Sequence, residues 1–75
     1  MINKEYDCFM HNVAWLRIKH GLSKRKMARI LGIGLQTLNK IENGEIPPNL
    51  SVDVVFEIYS NFGVSPKNLF GNRLE

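Results

Sequence analysis

The segment from Ser23 to Gly44 constrains the fold of this chain more than any other feature. Ser23 is a good N-cap for a short helix over Lys24 to Leu31. Gly32 can end that helix, because glycine adopts a positive φ without strain. A second short helix is expected from about Leu35 to Asn43. Neither helix is long enough to be stable alone, so each must bury one side against its neighbours.

The apolar and small residues of this segment fall where a helix-turn-helix requires them. Two short helices that cross steeply need a small residue near the corner, and Ala28 supplies it. Gly32 permits the left-handed turn between them. Five apolar residues form the wedge towards the rest of the core: Met27, Leu31, Ile33, Leu38 and Ile41. All seven positions therefore predict a helix-turn-helix, whose second helix enters the major groove of double-stranded DNA.

The charges of the chain are unevenly distributed. No Asp or Glu occurs between Asp7 and Glu42, and this stretch holds seven of the ten Lys and Arg residues. The middle of the chain is therefore +7, while the two ends, with three bases and seven acids, together are −4. Such an asymmetry suggests a surface for a polyanion. On charge alone, a solvated basic surface explains it equally well.

The remaining segments also have helical patterns, and we predict one domain over residues 1–75. A chain of this size buries only about 60% of its unfolded surface, so its core is small. In the first helix, which Asn3 or Asp7 could cap and Gly21 could end, the expected apolar stripe is Phe9, Val13, Leu16 and His20. The fourth helix, capped by Ser51, is expected to bury Val55, Ile58, Tyr59 and Phe62.

A fifth helix is expected to open at Ser65-Pro66, with proline at its preferred first position, and to be anchored by Leu69 and Phe70. The tail from Gly71 to Glu75 is expected to be frayed. No segment has the apolar run of a signal peptide or the ~20 apolar residues of a membrane span. The single cysteine, Cys8, cannot form an internal disulfide, and we predict a cytoplasmic protein.

Metal binding and catalysis are not expected from the residue pattern. Cys8, His11 and His20 lie near one another in sequence, but the chain supplies no fourth ligand at a suitable spacing. The sequence contains no paired carboxylates, no Ser/His/Asp set and no glycine-rich phosphate loop. We therefore expect no enzyme activity, no metal and no cofactor.

From Val13 to Phe70, the chain resembles the Cro/C1-type (XRE-like) helix-turn-helix family of phage repressors and small bacterial regulators. The residues that carry the resemblance are Leu16-Arg17, Gly21-Leu22-Ser23, Met27-Ala28, Leu31-Gly32-Ile33, Thr37-Leu38, Glu42-Asn43-Gly44, Gly63-Val64-Ser65 and Leu69-Phe70. The resemblance implies an all-α, five-helix bundle of the lambda-repressor-like type. It also implies sequence-specific binding to double-stranded DNA, commonly as a homodimer on a palindromic operator. The chain departs from the family at Lys24, Gly34 and Glu45.

Candidate phosphate contacts lie at the start of the helix expected over Lys24 to Leu31, which is the second helix of the whole chain. Lys24, Arg25 and Lys26 occupy its first turn, where the helix dipole disfavours cations. A helix N-terminus with added cations is nevertheless a good phosphate site, and we assign Lys24, Arg25 and Arg29 to this role. The alternative is that they are exposed solubilising residues. Asn43 matches a family position that touches phosphate.

Candidate base contacts lie on the helix expected from about Leu35 to Asn43, which is the third helix of the whole chain. By the resemblance, Leu35, Gln36 and Lys40 match base-contacting positions. Gln36 can hydrogen-bond to N6 and N7 of adenine, and Lys40 can donate to O6 and N7 of guanine. Asn39 lies on the same exposed face, and Thr37 lies between the faces. Leu35 could cover a thymine methyl, but core packing or a protein interface is the alternative.

The resemblance also suggests a salt bridge within the chain and the residues of a dimer contact. Arg17 and Glu42 match a family pair, and we expect a salt bridge that holds the third helix at its angle. For the dimer contact, the resemblance suggests the C-terminal residues, with Trp15 as a further candidate; the set is Leu69, Phe70, Leu74 and Trp15. For Trp15, packing on the core or on the surface of its own chain is favoured over an interface.

Two functions remain open on the sequence. The first is a transcriptional regulator, a repressor of phage or mobile-element type, with no small-molecule effector. The second is a protein-interaction module of the same fold, antitoxin-like or an accessory factor, anchored by Leu35 and Trp15. Salt-dependent binding to mixed-sequence DNA distinguishes the two.

Overall fold

Five α-helices follow one another in the computed structural model, which describes residues 4–48 and 50–74. They are α1 (Lys4–Lys19), α2 (Lys24–Leu31), α3 (Leu35–Glu42), α4 (Val52–Phe62) and α5 (Pro66–Gly71). The described residues contain no strand. The predicted all-α, five-helix bundle is therefore confirmed. Within these two ranges, no helix has the length and hydrophobicity that crossing a membrane requires.

The helix boundaries follow from local capping. Ser23, Ser51 and Ser65 are the N-caps of α2, α4 and α5, as predicted. Each Oγ accepts a hydrogen bond from a first-turn amide, at 3.0 to 3.3 Å. Gly32 and Gly63 end α2 and α4 in the left-handed region, with φ of 70° and 71°. These capping residues place the turns, and thereby set how closely successive helices can approach.

The start of α1 differs from the prediction. Because α1 already begins at Lys4, Asp7 lies within its first turn and is not the cap. Asn3, the other candidate, lies outside the described residues. Glu5 and Asp7 in this turn complement the positive end of the helix dipole. Acidic residues therefore stabilise this helix start, in contrast to the basic first turn of α2.

Twelve apolar residues form the core of the described chain. α1 packs chiefly against α5 and α3, and α2 packs against α3 and α4. The predicted helix-turn-helix wedge is buried at Met27, Leu31, Leu38 and Ile41, and Ile33 is half-buried. The other core residues are Phe9, Met10, Val13, Leu16, Ala28, Val54, Ile58 and Leu69. His20 is wrong as a core residue, because it lies beyond the end of α1 and is exposed, with its ring 5.0 Å from that of Phe62.

The buried side of α4 also differs from the prediction. Val54 and Ile58 are the buried residues, while Val55 and Phe62 are half-buried. Tyr59 is 55% exposed and is wrong as a core residue. The apolar arc of α4 is wider than the surface that the other helices cover, so hydrophobic spacing alone could not identify the buried half.

The C-terminal tail is tied to α1 by Asn12, whose side chain is fully buried. Its Nδ2 donates to the carbonyl oxygens of Leu69, at 2.8 Å, and Asn72, at 2.7 Å. Its Oδ1 accepts from the amide of Leu74 at 3.0 Å. The side chain of Leu74 packs against the core as well. The expected frayed tail is thus, up to Leu74, a hydrogen-bonded part of the structure.

Candidate nucleic-acid interface

The first turn of α2 presents a cluster of exposed cations. Lys24, Arg25 and Lys26 are exposed there, and Arg29 is exposed one turn further along. They are exposed because Met27, Ala28 and Leu31 take the buried side of this eight-residue helix. Lys26 was not among the predicted phosphate contacts, although the same charge pattern included it. The structure brings all four cations to the outside of α2.

No carboxylate among the described residues neutralises these cations. Within residues 4–48 and 50–74, the ion pairs join Arg17 to Glu42 and Arg73 to Asp7. The cations of α2, and Lys40 on α3, therefore have no carboxylate partner in this part of the chain. Such a cation has no ion pair with a described carboxylate to break when it contacts a phosphate, so this surface is electrostatically suited to a polyanion.

The outer face of α3 is polar at its centre. Leu38 and Ile41 are fully buried, which fixes the orientation of the helix about its own axis. Gln36 and Lys40 are exposed on the opposite side, four residues apart and thus neighbours on the helix surface. Their amide and ammonium groups can reach the hydrogen-bonding edges of bases in a major groove.

Three further predicted base contacts flank this face. Leu35 is 41% exposed, so the alternative that it packs in the core is wrong. Asn39, one turn after Leu35, is half-buried, and so is Thr37 on the other flank. An exposed leucine beside two polar side chains offers one apolar contact at the edge of a hydrogen-bonding surface.

The two ends of α3 are capped differently. Gly34 is the N-cap and provides no side-chain hydrogen bond. At the other end, Asn43 is the C-cap, and its amide donates to the carbonyl oxygens of Asn39 and Lys40. The side chain of Asn43 is exposed. It is therefore accessible for the predicted phosphate contact.

A charged contact joins α3 to α1. Arg17 Nε donates to Glu42 Oε2 at 2.7 Å, and Arg17 Nη2 donates to Glu42 Oε1 at 3.1 Å. Arg17 Nη1 also donates to the carbonyl oxygen of Leu22 at 3.0 Å. The exposed fractions of the two side chains are 18% for Arg17 and 8% for Glu42. The predicted pair is thus a largely buried, bidentate interaction.

The predicted dimer residues mostly make contacts inside the chain. Leu69 is fully buried, so it has no surface for a second copy and is wrong as a dimer contact. The ring of Phe70 stacks on that of Phe9, with centroids 5.1 Å apart. Leu74 and Trp15 are half-buried against the core, and Lys19 Nζ lies 4.8 Å from the centre of the Trp15 ring. The large apolar residues that are exposed in the described chain lie elsewhere: three are on α4 (Val52, Phe56 and Tyr59), and the others are Tyr6, Ile18, Leu35 and Ile46.

Comparisons with known proteins agree with this geometry. A profile described as helix-turn-helix matches residues 13–69. An uncharacterized HTH-type transcriptional regulator of Methanocaldococcus jannaschii is 32% identical over 60 residues, which are 80% of this chain and 88% of that protein. No solved structure gives a significant match.

Proposed function

This chain belongs to the Cro/C1-type helix-turn-helix family, and we propose that it binds double-stranded DNA sequence-specifically as a transcription regulator. The observation that carries the proposal is the combination of exposed cations on α2, which form no ion pair with a described residue, with an outward polar face on α3. Phosphate contacts supply affinity and register, while base contacts supply specificity, and this surface offers groups for both. The similarity to a protein described as an HTH-type transcriptional regulator supports the same conclusion.

In this proposal, the exposed ends of the helix-turn-helix hold the DNA backbone. Lys24 and Arg25 contact phosphates at the N-terminus of α2, where the helix dipole and the backbone amides also favour an anion. Arg29 and Asn43 contact the backbone on either side of the groove. The three cations in the first turn of α2 disfavour the helix locally by about 0.3–1 kcal/mol each, and a bound phosphate would offset that effect, whereas Arg29 lies in the last turn, where the dipole favours a cation.

The proposed base contacts come from the face opposite Leu38 and Ile41. Gln36 binds adenine in a bidentate manner, and Lys40 donates to guanine. Leu35, Thr37 and Asn39 flank these two residues and complete the set. The apolar side chain of Leu35 is suited to the methyl group of thymine.

The finer role that we propose is a repressor of phage or mobile-element type, acting in the cytoplasm. It binds as a homodimer to a palindromic operator, so that two α3 helices enter successive major grooves on one side of the duplex. A single eight-residue α3 helix can make only a few base contacts, and a second copy doubles their number. The resemblance to phage repressors supports this role.

A protein-interaction role has one supporting observation, the 41% exposure of Leu35 at the start of α3. Leu35 borders the face that Gln36 and Lys40 would turn to the bases. A protein partner anchored on Leu35 would therefore compete with DNA for the same surface, and competition between the partner and a duplex would identify it.

Selection of bound fragments from random duplex DNA tests the proposed function. We expect a palindromic consensus, with each half contacted by one copy. The matched variants are Lys24→Ala/Arg25→Ala/Gln36→Ala, on the proposed surface, and Lys67→Ala, on an exposed position of α5. The triple variant should lose enrichment of any sequence, whereas Lys67→Ala should select the same consensus. Unchanged selection by the triple variant, or no salt-dependent binding by the native chain at low ionic strength, would overturn the proposal.

A further inference from the structure

A cavity of about 290 Å³ opens between α1, the end of α3 and the C-terminal tail. Its base is apolar and consists of Met10, Ala14 and Ile41, of which Met10 and Ile41 have almost no exposed area. Small-molecule sites are concave and mostly apolar, with a few polar groups that orient the ligand, and their volumes begin at about 300 Å³. This cavity therefore has the size and the base of a site for a small ligand.

An ion pair lies at the edge of the cavity. Arg73 Nη2 is 3.5 Å from Asp7 Oδ2, and the two side chains are 56% and 53% exposed. This separation is longer than the about 2.7–2.9 Å of a charge-assisted hydrogen bond, and a guanidinium and a carboxylate each have further donors or acceptors to offer. Both groups can therefore hydrogen-bond to a ligand while they remain next to each other.

The charges around the cavity indicate what kind of ligand fits. With His11 counted as neutral, they sum to zero, because Arg73 balances Asp7, and Arg17 balances Glu42 through two hydrogen bonds. Asp7 would repel a simple anion bound at Arg73, and Arg73 would repel a simple cation bound at Asp7. A metal ion is disfavoured too, since no group of three or more His, Cys, Asp or Glu in residues 4–48 and 50–74 is arranged to hold one. The best match is a ligand that carries both charges and no net charge.

A zwitterion interacts favourably with both members of the ion pair at once. Its carboxylate accepts hydrogen bonds from the Arg73 guanidinium, and its ammonium group donates to the Asp7 carboxylate. Because the two side chains are already adjacent, the four charges alternate in sign, and each has an opposite charge on either side. An α-amino acid carries its two charges on adjacent carbons, so its head group is compact enough for this arrangement.

The cavity is separate from the face proposed to contact the bases. Gln36, Lys40 and the cations of α2 are not among its lining residues, whereas Asn43 is one of them. A ligand in the cavity therefore borders the end of α3 without covering the outer face of that helix. Its binding can be measured on the protein alone, without DNA.

We propose that this cavity binds an α-amino acid with an apolar side chain. The charged head of the ligand lies against Asp7 and Arg73 at the edge, and its side chain lies over Met10, Ala14 and Ile41 at the base. No small-molecule ligand was expected from the sequence, because the lining residues come from three segments that are far apart along the chain. The inference goes beyond the proposed function and does not depend on it.

A matched series of ligands tests the role of the two charges. In isothermal titration, L-leucine should bind the native chain at one site, with a dissociation constant of about 1 mM or lower. The probes 4-methylpentanoate, which lacks the ammonium group, and 3-methylbutylamine, which lacks the carboxylate, should each bind about tenfold more weakly, because each loses hydrogen bonds to a charged group. Equal affinities for the three compounds, or no binding of L-leucine, L-methionine or L-valine at about 10 mM, would overturn the proposal.

Substitutions at the ion pair assign each end of the ligand. Arg73→Met should weaken L-leucine about tenfold without weakening 3-methylbutylamine, which has no carboxylate to lose a partner. Asp7→Asn should weaken L-leucine similarly without weakening 4-methylpentanoate. Both side chains are more than half exposed, so both variants should keep the native circular dichroism. The controls Lys67→Met and Asp53→Asn, at exposed positions outside the cavity, should bind L-leucine as the native chain does. Native affinity of Arg73→Met and Asp7→Asn for L-leucine would show the site assignment to be wrong.

Amide chemical shifts locate the bound ligand. In a proton–nitrogen correlation spectrum, L-leucine should shift the amides of His11 and Gly44, which line the cavity, and leave that of Gly63, at the end of α4, unchanged. Shifts confined to residues outside the cavity would overturn the proposal even if L-leucine binds. Such a result leaves the proposed DNA-binding function as it stands, whereas a chain that binds L-leucine here and no duplex would retain this site and lose that function.

Discussion

Arg17 holds Glu42, the last residue of α3, through two hydrogen bonds of 2.7 and 3.1 Å. The same guanidinium donates to the carbonyl oxygen of Leu22, in the turn that precedes α2. One side chain of α1 therefore contacts both ends of the helix-turn-helix unit. Because the unit consists of two eight-residue helices, this contact is well placed to set the angle at which α3 leaves the core.

Loss of one partner of this pair should destabilise the protein. Glu42→Leu leaves the largely buried Arg17 without its carboxylate, and we expect the free energy of unfolding to fall by about 3 kcal/mol. Urea denaturation measures this. The matched control is the double variant Arg17→Met/Glu42→Leu, which removes both charges and should recover a large part of the loss. Equal stability of Glu42→Leu and the native chain would contradict a structural role for the pair.

Lys24→Ala should weaken binding to every duplex by a similar factor. The lysine neutralises one phosphate, so the slope of log affinity against log salt concentration should fall by about one unit. Titrations of a fluorescent duplex at several salt concentrations measure the slope. Lys67→Ala removes the same charge from an exposed position on α5, and its slope should remain native. A reduced slope for both variants would show a general charge effect.

Gln36→Ala should relax the sequence preference. The selected operator should be bound more weakly by about 1–3 kcal/mol, because a bidentate contact to adenine is lost. Binding to mixed-sequence DNA should be almost unchanged, because Gln36 carries no charge. Competition between the two duplexes measures the ratio of affinities directly. A uniform loss on both duplexes would identify Gln36 as a backbone contact.

Asn12→Leu should destabilise the C-terminal tail. The substitution leaves the carbonyl oxygens of Leu69 and Asn72 and the amide of Leu74 without their partner. The hydrogen bond to the Leu69 carbonyl is buried, and one buried unsatisfied group costs about 1–3 kcal/mol, so the free energy of unfolding should fall by at least that amount. Hydrogen exchange should show faster exchange of the Leu74 amide. Asn61→Leu, at an exposed position of α4, should change stability by about 0.5 kcal/mol or less.

Two glycines should respond in opposite directions to alanine. A Cβ meets no atom within 4 Å at either Gly32 or Gly71, so space does not distinguish them. Gly32 has a φ of +70°, and Gly32→Ala should cost about 1–2 kcal/mol. Gly71 lies in α5, where the φ is not positive, and Gly71→Ala should be stabilising by about 0.5 kcal/mol. Thermal denaturation of the two variants compares them directly.

Much of the fold follows from local sequence. The boundaries of α2 depend on Ser23 and Gly32, which cap the helix in the way their side chains and conformational freedom predict. The burial of Met27, Leu31, Leu38 and Ile41 follows from helical spacing within a short segment. Such features need no knowledge of the rest of the chain, because the determining residues are neighbours in sequence.

The missed features depend on contacts between distant segments. Asn12 is polar, yet it is buried because its amide meets the end of α5, 57 residues later. The exposed side of α4 could not be predicted either, because its apolar arc exceeds the area that α2 and α5 cover. Leu69 lies in a terminal helix that spacing cannot distinguish from a surface anchor. The exposure of the charged residues of α2, and of Gln36 and Lys40, could be predicted because it follows from the local helix faces, whereas their contacts with DNA stay predictions.

The length of α3 limits how much sequence information one copy can read. Its eight residues span about 12 Å, at 1.5 Å per residue. This length corresponds to about four base pairs of duplex, since each base pair rises about 3.4 Å. A sequence of about four base pairs recurs by chance roughly once in 250 base pairs. This is far too often to identify one binding site among the ~10⁶–10⁹ competing sites of a genome. In the proposed homodimer, two such sequences at a fixed spacing recur roughly 250-fold less often than one, so the distance between the two α3 helices would add to the sequence preference.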